Sequence, residues 1–371
     1  MRRIACRLIC HSPGPHVQQI YTGLSMLHRS GLIDLTQELR PQRPTRYGVA
    51  HHLRNAVAAH TTVVLNDAVT VHYDMHDAQE IDVRDLDMCN QYFKRSFCSS
   101  YVSGLPHGAE KVLPFGLNYQ VLPAFADWFA ARRALGLPRG AMGRMFSLQE
   151  ALDARNWRRF YPRVREMESL PDQTLAPRVL FLVTAHDPLD DPDRSRAKIE
   201  ERTRANESRA QCIRLLRKEL GAMFLGGFSH SQYSMRRYRD CLTADARVAE
   251  KESYIRTLKS HSICVATTGL HGSIGWKFAE YVACSKAILS ERLTYAVPGD
   301  LTPGRNFLEF GSPTECVELA HRLIENRDLR DAMMTRNFEY YRASLRPDVL
   351  MLNSLTTALA TAARRETESA S

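Results

Sequence analysis

The chain has 371 residues, of which 44% are hydrophobic and 25% charged, with a formal net charge of +9. That length exceeds what one hydrophobic core usually serves, so two domains are expected, and the ordinary composition excludes a collagenous, wholly disordered or membrane-spanning chain. The positive charge is spread rather than blocked: it suits nucleotides, nucleic acid or peripheral association with acidic membrane surfaces and selects none of them.

The opening MRRIACRLICHS has an apolar patch too short and too interrupted by Arg7 for a secretory signal, and Arg3 to His11 reads as a first core strand. His11-Ser12-Pro13-Gly14-Pro15 forms a tight turn, and Gln19 to His28 a helix with Ile20, Leu24 and Leu27 on one face, closed by Gly31. His11, Gly14 and His16 therefore occupy a first strand-to-helix turn, where a Rossmann-like domain presents ligand contacts. The turn is not GxGxxG, which argues against a dinucleotide dehydrogenase. Thr61 to Leu65 and Val69 to Asp74 are β-branched runs, Asn90 to Phe97 is a further strand, and Lys111 to Phe115 leads into Gly116. After Pro123 the pattern turns helical and basic, through Trp128, Arg132 and Arg133 and then Trp157, Arg158 and Arg159. Leu170 to Pro177, with two prolines, is the expected linker.

Ionisable residues crowd the end of the strand Val69 to Asp74, in His72-Tyr73-Asp74-Met75-His76-Asp77-Ala78-Gln79-Glu80. A carboxylate or imidazole there can take a proton from a hydroxyl, and Asp74 and His76 are the candidate general bases; hydrogen-bonded structural roles for the same two stay open. His72 and His76 with Asp74 or Asp77 offer metal-ligand chemistry, but no helical face unites them and no HExxH context exists, so no metal is expected. Tyr92-Phe93-Lys94-Arg95-Ser96 mixes aromatics and cations, yet one such cluster on a core strand does not predict nucleic-acid binding. Nine cysteines lack any CxxC pair or regular spacing. They read as buried small hydrophobes in a reducing, cytoplasmic compartment.

A second α/β unit opens with the strand Arg178 to Thr184, followed by an Asp- and Pro-rich loop, His186 to Asp193, and a helix from about Ser195 to Leu220. Its inward stripe runs Arg202, Asn206, Arg209, Ile213, Leu216, Leu220 and changes from polar to apolar along the helix. The polar end lies beside the carboxyl edge of the sheet, so Arg202 and Arg209 are candidate phosphate or interdomain contacts; a solvent-facing role stays equally open. Ile263 to Ala266 is a buried strand, Gly269, Gly272 and Gly275 punctuate the turn after it, and a helix starts near Ile274. Free N–H groups at such a helix start, approached through Cβ-less glycines, hold anions; Gly269, His271, Gly272 and Ser273 are the expected loop contacts. Lys277 and Glu280 pair three residues apart on the helix, and Ala287 to Ser290 is the next strand.

Gly272 to Glu291 resembles the donor-site segment of GT-B glycosyltransferases, with the group-1 and CgeB-like branches nearest. In that family a helix glutamate holds the nucleotide ribose, and Glu280 is its match here. Ala283-Cys284-Ser285-Lys286-Ala287 stands where the family has Ala-Cys-Gly-Lys-Pro, whereas Gly272 replaces the second glutamate of retaining members. Pro298-Gly299-Asp300, Asn306 to Phe310 and a helix over Thr314 to Glu325 extend the resemblance, which is clearest over 262–348. The resemblance implies an α/β, GT-B-like fold with two Rossmann-like domains facing a central cleft: an acceptor-side domain over 1–172, a donor domain over 173–335, and a returning helix within 336–371, whose final stretch, Ala363 to Ser371, is expected to be a disordered tail from its polar composition. It implies transfer of a sugar, of hexosyltransferase type, from a nucleotide-diphosphate sugar to a glycan or other hydroxyl acceptor in surface polysaccharide or glycoconjugate assembly. No cofactor is required on that reading. Donor contacts would be Gly269, His271, Gly272, Ser273, Lys277, Glu280, Arg202 and Arg209, with Asp74 and His76 catalytic and His11, Gly14 and His16 near the acceptor. A nucleotide-sugar epimerase on the same fold, or a non-catalytic nucleotide-sugar or nucleic-acid binding protein, are the alternatives.

Overall fold

The computed structural model describes residues 3–11, 14–40, 59–137, 148, 151–155 and 161–369; Trp157, Arg158 and Arg159 lie outside them. Two compact units form, Met1–Arg165 with Tyr295–Gly299 and Arg342–Ser371, and Glu166–Thr294 with Asp300–Tyr341. The chain thus changes units upstream of the proline-bearing segment 170–177.

The first unit carries strands β1 (Ile4–Cys10), β2 (Ile33–Leu39), β3 (His60–Leu65), β4 (Val69–Asp74), β5 (Gln91–Lys94) and β6 (Val112–Pro114), in the order β2-β1-β3-β4-β5-β6. The sheet is mixed rather than all-parallel, because β3 runs antiparallel to both β1 and β4. Its cause is local: Asn66 and Asp67 take φ of 50° and 56°, the pair of left-handed residues a two-residue hairpin needs, and the Ala68 N–H closes the turn on the Leu65 carbonyl at 3.0 Å. Period-two alternation then sorts the faces. Val63, Leu65, Val71 and Tyr73 join the core under helix α1 (Gln18–Arg29), while His60, Thr62, His72 and Asp74 fall on the other face. The register sets Thr62 opposite His72 and His60 opposite Asp74. Helix α2 (Val83–Asp87), N-capped by Asp82, brings Leu86 into a second cluster with Ile81, Tyr92 and Val112.

The second unit is all parallel: β7 (Val179–Val183), β8 (Phe224–Phe228), β9 (Ile263–Ala266), β10 (Ala287–Glu291) and β11 (Leu308–Phe310), ordered β11-β10-β9-β7-β8. The first strand of the unit therefore lies between the second and the third, and the order reverses between β7 and β9, the switch point at which open α/β sheets bind ligands. Helix α3 (Arg196–Leu220) turns Asn206, Arg209, Ile213, Leu216 and Leu220 inward, with all five buried. Helices α4 (Lys251–Lys259), α5 (Trp276–Ala283), α6 (Pro313–Glu325) and α7 (Arg327–Tyr340) complete the unit. Helix α5 begins two residues later than the glycine pattern suggested, after Gly275 in extended conformation.

The last helix, α8 (Pro347–Ser369), packs on the first sheet. Leu350, Met351 and Leu355 are buried there, each burial contributing about 1.5–3 kcal/mol, and the Ser354 and Tyr73 hydroxyls meet at 2.9 Å. The tail from Ala363, expected to be disordered, is helical as far as Ser369. Ala, Arg and Glu propagate a helix already fixed by packing, and Arg365 donates to the carbonyls of Asn90 and Glu110 at 2.9 and 3.3 Å. Among the described residues, no helix is long and apolar enough to cross a membrane.

The close approach of α1 and α8 depends on Gly23, where a Cβ would stand 2.1 Å from the Pro347 carbonyl oxygen and 2.5 Å from Met351 Cγ. Backbone cannot yield as a flexible side chain does. Gly23→Ala is expected to destabilise the chain by about 2–3 kcal/mol, read as a lowered urea midpoint; an unchanged midpoint contradicts this packing.

Candidate functional site

At the switch point of the second sheet sits Arg209, buried on α3. Its Nη1 donates to the Thr184 carbonyl at 2.9 Å, its Nη2 to the Thr268 carbonyl at 2.9 Å and its Nε to the Thr267 hydroxyl at 3.1 Å. One guanidinium thus ties the segment after β7 to the segment after β9. One turn earlier on α3, the Asn206 amide bonds both backbone groups of His186, accepting from its N–H at 2.9 Å and donating to its carbonyl at 2.7 Å. The two arginines of the stripe were expected as phosphate or interdomain contacts, or facing solvent. Arg202 lies 3.8 Å from Asp190 and donates to the Asp187 carbonyl at 3.3 Å. Arg209 meets two carbonyls and a hydroxyl, with the Glu291 carboxylate as an opposing charge. Burial and then the charges of Arg209 and Arg202 push His186 down to about 4.

The loop from Thr267 to Gly275 is held on both sides. The Thr268 N–H and hydroxyl both donate to Glu291 at 2.8 Å, and the His271 N–H donates to Glu201 of α3 at 2.5 Å. Gly269 donates to the Ser273 carbonyl at 2.7 Å, and a Cβ on Gly269 would press on Ser273 Oγ at 2.6 Å. His271 and Gly272 take left-handed φ of 60° and 65°. Helix α5 follows with no side-chain cap on its first N–H groups. On α5, Lys277 and Glu280 lie 3.7 Å apart, and Tyr254 of α4 completes a trio. Its hydroxyl donates to Glu280 Oε2 at 2.5 Å, and its ring lies 3.3 Å from the Lys277 ammonium. Burial lowers the Lys277 amine from its ordinary value, against the pull of Glu280. Ser285, where the resembled family has glycine, adopts φ of 54°, so the turn into β10 requires the left-handed conformation that glycine takes freely.

In the first unit, Asp74 is buried and bonded by four donors. The His76 N–H and ring Nδ1 reach Oδ1 at 3.0 and 2.7 Å, and the Tyr92 hydroxyl and Lys94 ammonium reach Oδ2 at 2.6 and 2.8 Å. Burial raises this carboxyl, but His76 and Lys94 outweigh it and hold it far below the usual range. A carboxylate so saturated is a weak base, which corrects the expectation of proton abstraction by Asp74. His76 is its exposed partner: with Nδ1–H donated to Asp74, the Nε2 lone pair is available. His11 bonds the Arg40 carbonyl through Nδ1 at 3.1 Å and meets the His60 ring edge-on at 4.9 Å. Gly14 caps the short helical turn Pro15–Val17, and the His16 carbonyl accepts from Asn118 at 2.9 Å. Burial lowers His16, opposed by the nearby charge of Asp77, which in turn pairs with Arg95.

The structure adds residues that sequence spacing did not single out. His60 stands 5.4 Å from the His72 ring and 6.2 Å from that of His76, and Asp85 of α2 approaches the same group. Burial pushes His60 and His72 down to about 4 and about 3, so both are neutral imidazoles. His186, Tyr254 and Glu291 are the additions in the second unit. Only His186 had a sequence signal, as a polar residue just past a buried parallel strand.

Residues 209–348 match the model of a family described as glycosyl transferase-like. No curated protein sequence matches the chain significantly. Among solved structures, the chain is similar to a glycosyltransferase from Rickettsia africae at 9% identity, over 97% of this chain and 99% of that one, with a TM-score of 0.45. It is similar to Anabaena HepE, solved with UDP and glucose, at 8% identity over 94% and 97%, with a TM-score of 0.41. A third likeness, to the sucrose-phosphate synthase of Thermosynechococcus elongatus, has 12% identity over 94% and 72%, with a TM-score of 0.37. The matched stretch begins at Arg209 itself and includes the glycine loop and Glu280. From residue 209 to residue 348, then, this chain resembles the glycosyl transferase-like family, and the described residues form two α/β units.

Proposed function

We propose that the protein is a cytoplasmic glycosyltransferase of hexosyltransferase type, moving a sugar from a nucleotide-diphosphate donor to an acceptor hydroxyl in surface polysaccharide or glycoconjugate assembly. The observation that carries this reading is the coincidence of the matched stretch with the switch point of the parallel sheet, where Arg209, the glycine loop and Glu280 gather. In this reading the Glu280 carboxylate accepts from the ribose hydroxyls, with Tyr254 fixing its orientation. The diphosphate lies against the loop Gly269, His271, Gly272, Ser273 and the positive dipole end of α5, and Lys277, Arg209 and Arg202 offset its charge.

In the transfer step, the acceptor oxygen bonds to the anomeric carbon as the bond from that carbon to the diphosphate oxygen breaks, and the nucleoside diphosphate leaves with the bonding pair. The acceptor proton passes to His76 Nε2. Asp74 fixes the tautomer of His76 and stabilises the imidazolium, and His11, Gly14 and His16 are assigned to the acceptor side.

Thermal-shift and calorimetric titration with UDP, GDP, ADP, CMP and dTDP tests the donor site: one base is expected to stabilise the chain above the rest. Glu280→Gln, which keeps an acceptor for Tyr254, is expected to weaken that nucleotide by about tenfold or more at nearly unchanged melting temperature. Equal affinity removes Glu280 from the site. For the base, His76→Ala is expected to lower transfer by about 10²–10⁴-fold while donor affinity stays as it was. Undiminished transfer, or a loss confined to donor binding, contradicts the role.

A further inference from the structure

The hairpin register places His60 and His72 diagonally on the same face of β3 and β4, and α2 brings Asp85 to them from thirteen residues beyond His72 in the chain. One nitrogen of each imidazole and one oxygen of the carboxylate all lie within 4.8 Å of one another. We propose that His60, His72 and Asp85 bind a divalent transition-metal ion of the zinc type, which clamps helix α2 to the β3–β4 hairpin.

The independent observation is the state of His72. This ring is only 4% exposed, and its Nε2 is buried with no hydrogen-bond partner among the described residues. The nearest acceptor, Asp85 Oδ2, is 3.6 Å away, too far for a hydrogen bond. It is close to the separation of about 3.4 Å between two ligand atoms of a tetrahedral zinc ion, given metal–ligand distances near 2.1 Å. The opposite nitrogen is already oriented. Nδ1 lies 3.3 Å from the Thr62 hydroxyl, and with Nδ1–H donated there the Nε2 lone pair points at Asp85. This is the outer hydrogen bond that metal-bound imidazoles ordinarily make. The Tyr92 ring stacks on His72 at 4.9 Å and fixes its plane. His60 is only partly buried and can close the remaining distance by a side-chain rotation.

Charge favours the same conclusion. Asp82 and Asp74 both act on Asp85 as like charges, a surrounding that a bound cation relieves. Lys94, the buried cation nearest in the sheet, is committed to Asp74 and to the Glu80 carbonyl. Two neutral imidazoles and one carboxylate form a borderline set suited to Zn²⁺, with the fourth position left to water. Asp74, one of the two carboxylates considered with His72 in a sequence from which no metal was expected, is excluded because its oxygens already accept four hydrogen bonds.

The test uses the full chain stripped of metal with a chelator and titrated with Co²⁺, whose visible absorption reports coordination, then with Zn²⁺ as competitor. One equivalent of Co²⁺ is expected to bind with tetrahedral-type bands and to be displaced by Zn²⁺. His72→Ala opens a buried hole and can unfold the chain, so the decisive variants are Asp85→Asn and His60→Gln at the less buried positions. Each is expected to weaken Co²⁺ by more than about tenfold. Zn²⁺ is also expected to raise the melting temperature of the native chain and not of Asp85→Asn. Absence of Co²⁺ binding by the native chain, or undiminished affinity in either variant, overturns the proposal.

Discussion

A buried guanidinium is the constraint on which the second unit depends. Parallel strands diverge where their order reverses, and the segments leaving β7 and β9 have backbone carbonyls with no ladder partner. Arg209 meets three oxygens there with a planar fork that Lys could not reproduce. Removing it would strand those acceptors; keeping it places a positive charge at the edge where such sheets bind ligands. Local stability and a positive edge therefore arise from one side chain. Burial first, and the charges of Arg209 and Arg202 after it, lower the basicity of His186 at the same edge.

The first unit solves a comparable problem with opposite sign. Its hairpin exposes a polar sheet face, and a carboxylate buried on that face needs full compensation, since an isolated buried charge is far costlier than a paired one. Asp74 obtains it from Lys94, Tyr92 and His76. The same network orients the His76 ring and leaves it half exposed, at 51% for the side chain, which suits a group that must exchange protons with a ligand. His72, beside Asp74 in the alternation, is excluded from the network and turns toward Asp85 instead. His72 and His76, four residues apart, thus stand in different environments, one buried 3.6 Å from Asp85 and the other half exposed against Asp74.

Much of the framework was legible because it depends on local pattern. The run Val-Leu-Phe-Leu-Val, the strand Val69–Asp74 and the inward stripe of α3 follow directly from period two, period 3.6 and β-branching. The direction of β3 was legible in principle: Asn66-Asp67 between two β-branched runs is a hairpin signal. Glu280 and Lys277 were found through helical spacing and through resemblance. What escaped was tertiary. His60, Asp85 and Tyr254 become significant only when strands pair and helices dock, and nothing in their spacing marks them; Lys94 stood out as part of an aromatic and cationic cluster, but its pairing with Asp74 was not legible. The disorder expected of the tail failed for a related reason, since polar composition does not register that α8 is already anchored by Leu350, Met351 and Leu355.

The central claim is that the edge around Arg209 receives the diphosphate of a nucleotide. Calorimetric titration of the native chain and of Arg209→Met with a preferred nucleoside diphosphate and with its nucleoside addresses it most directly. The account predicts that the substitution weakens the diphosphate by at least about tenfold more than the nucleoside, because the lost attraction is to phosphate. An equal loss for both ligands, or no loss for either, would contradict it.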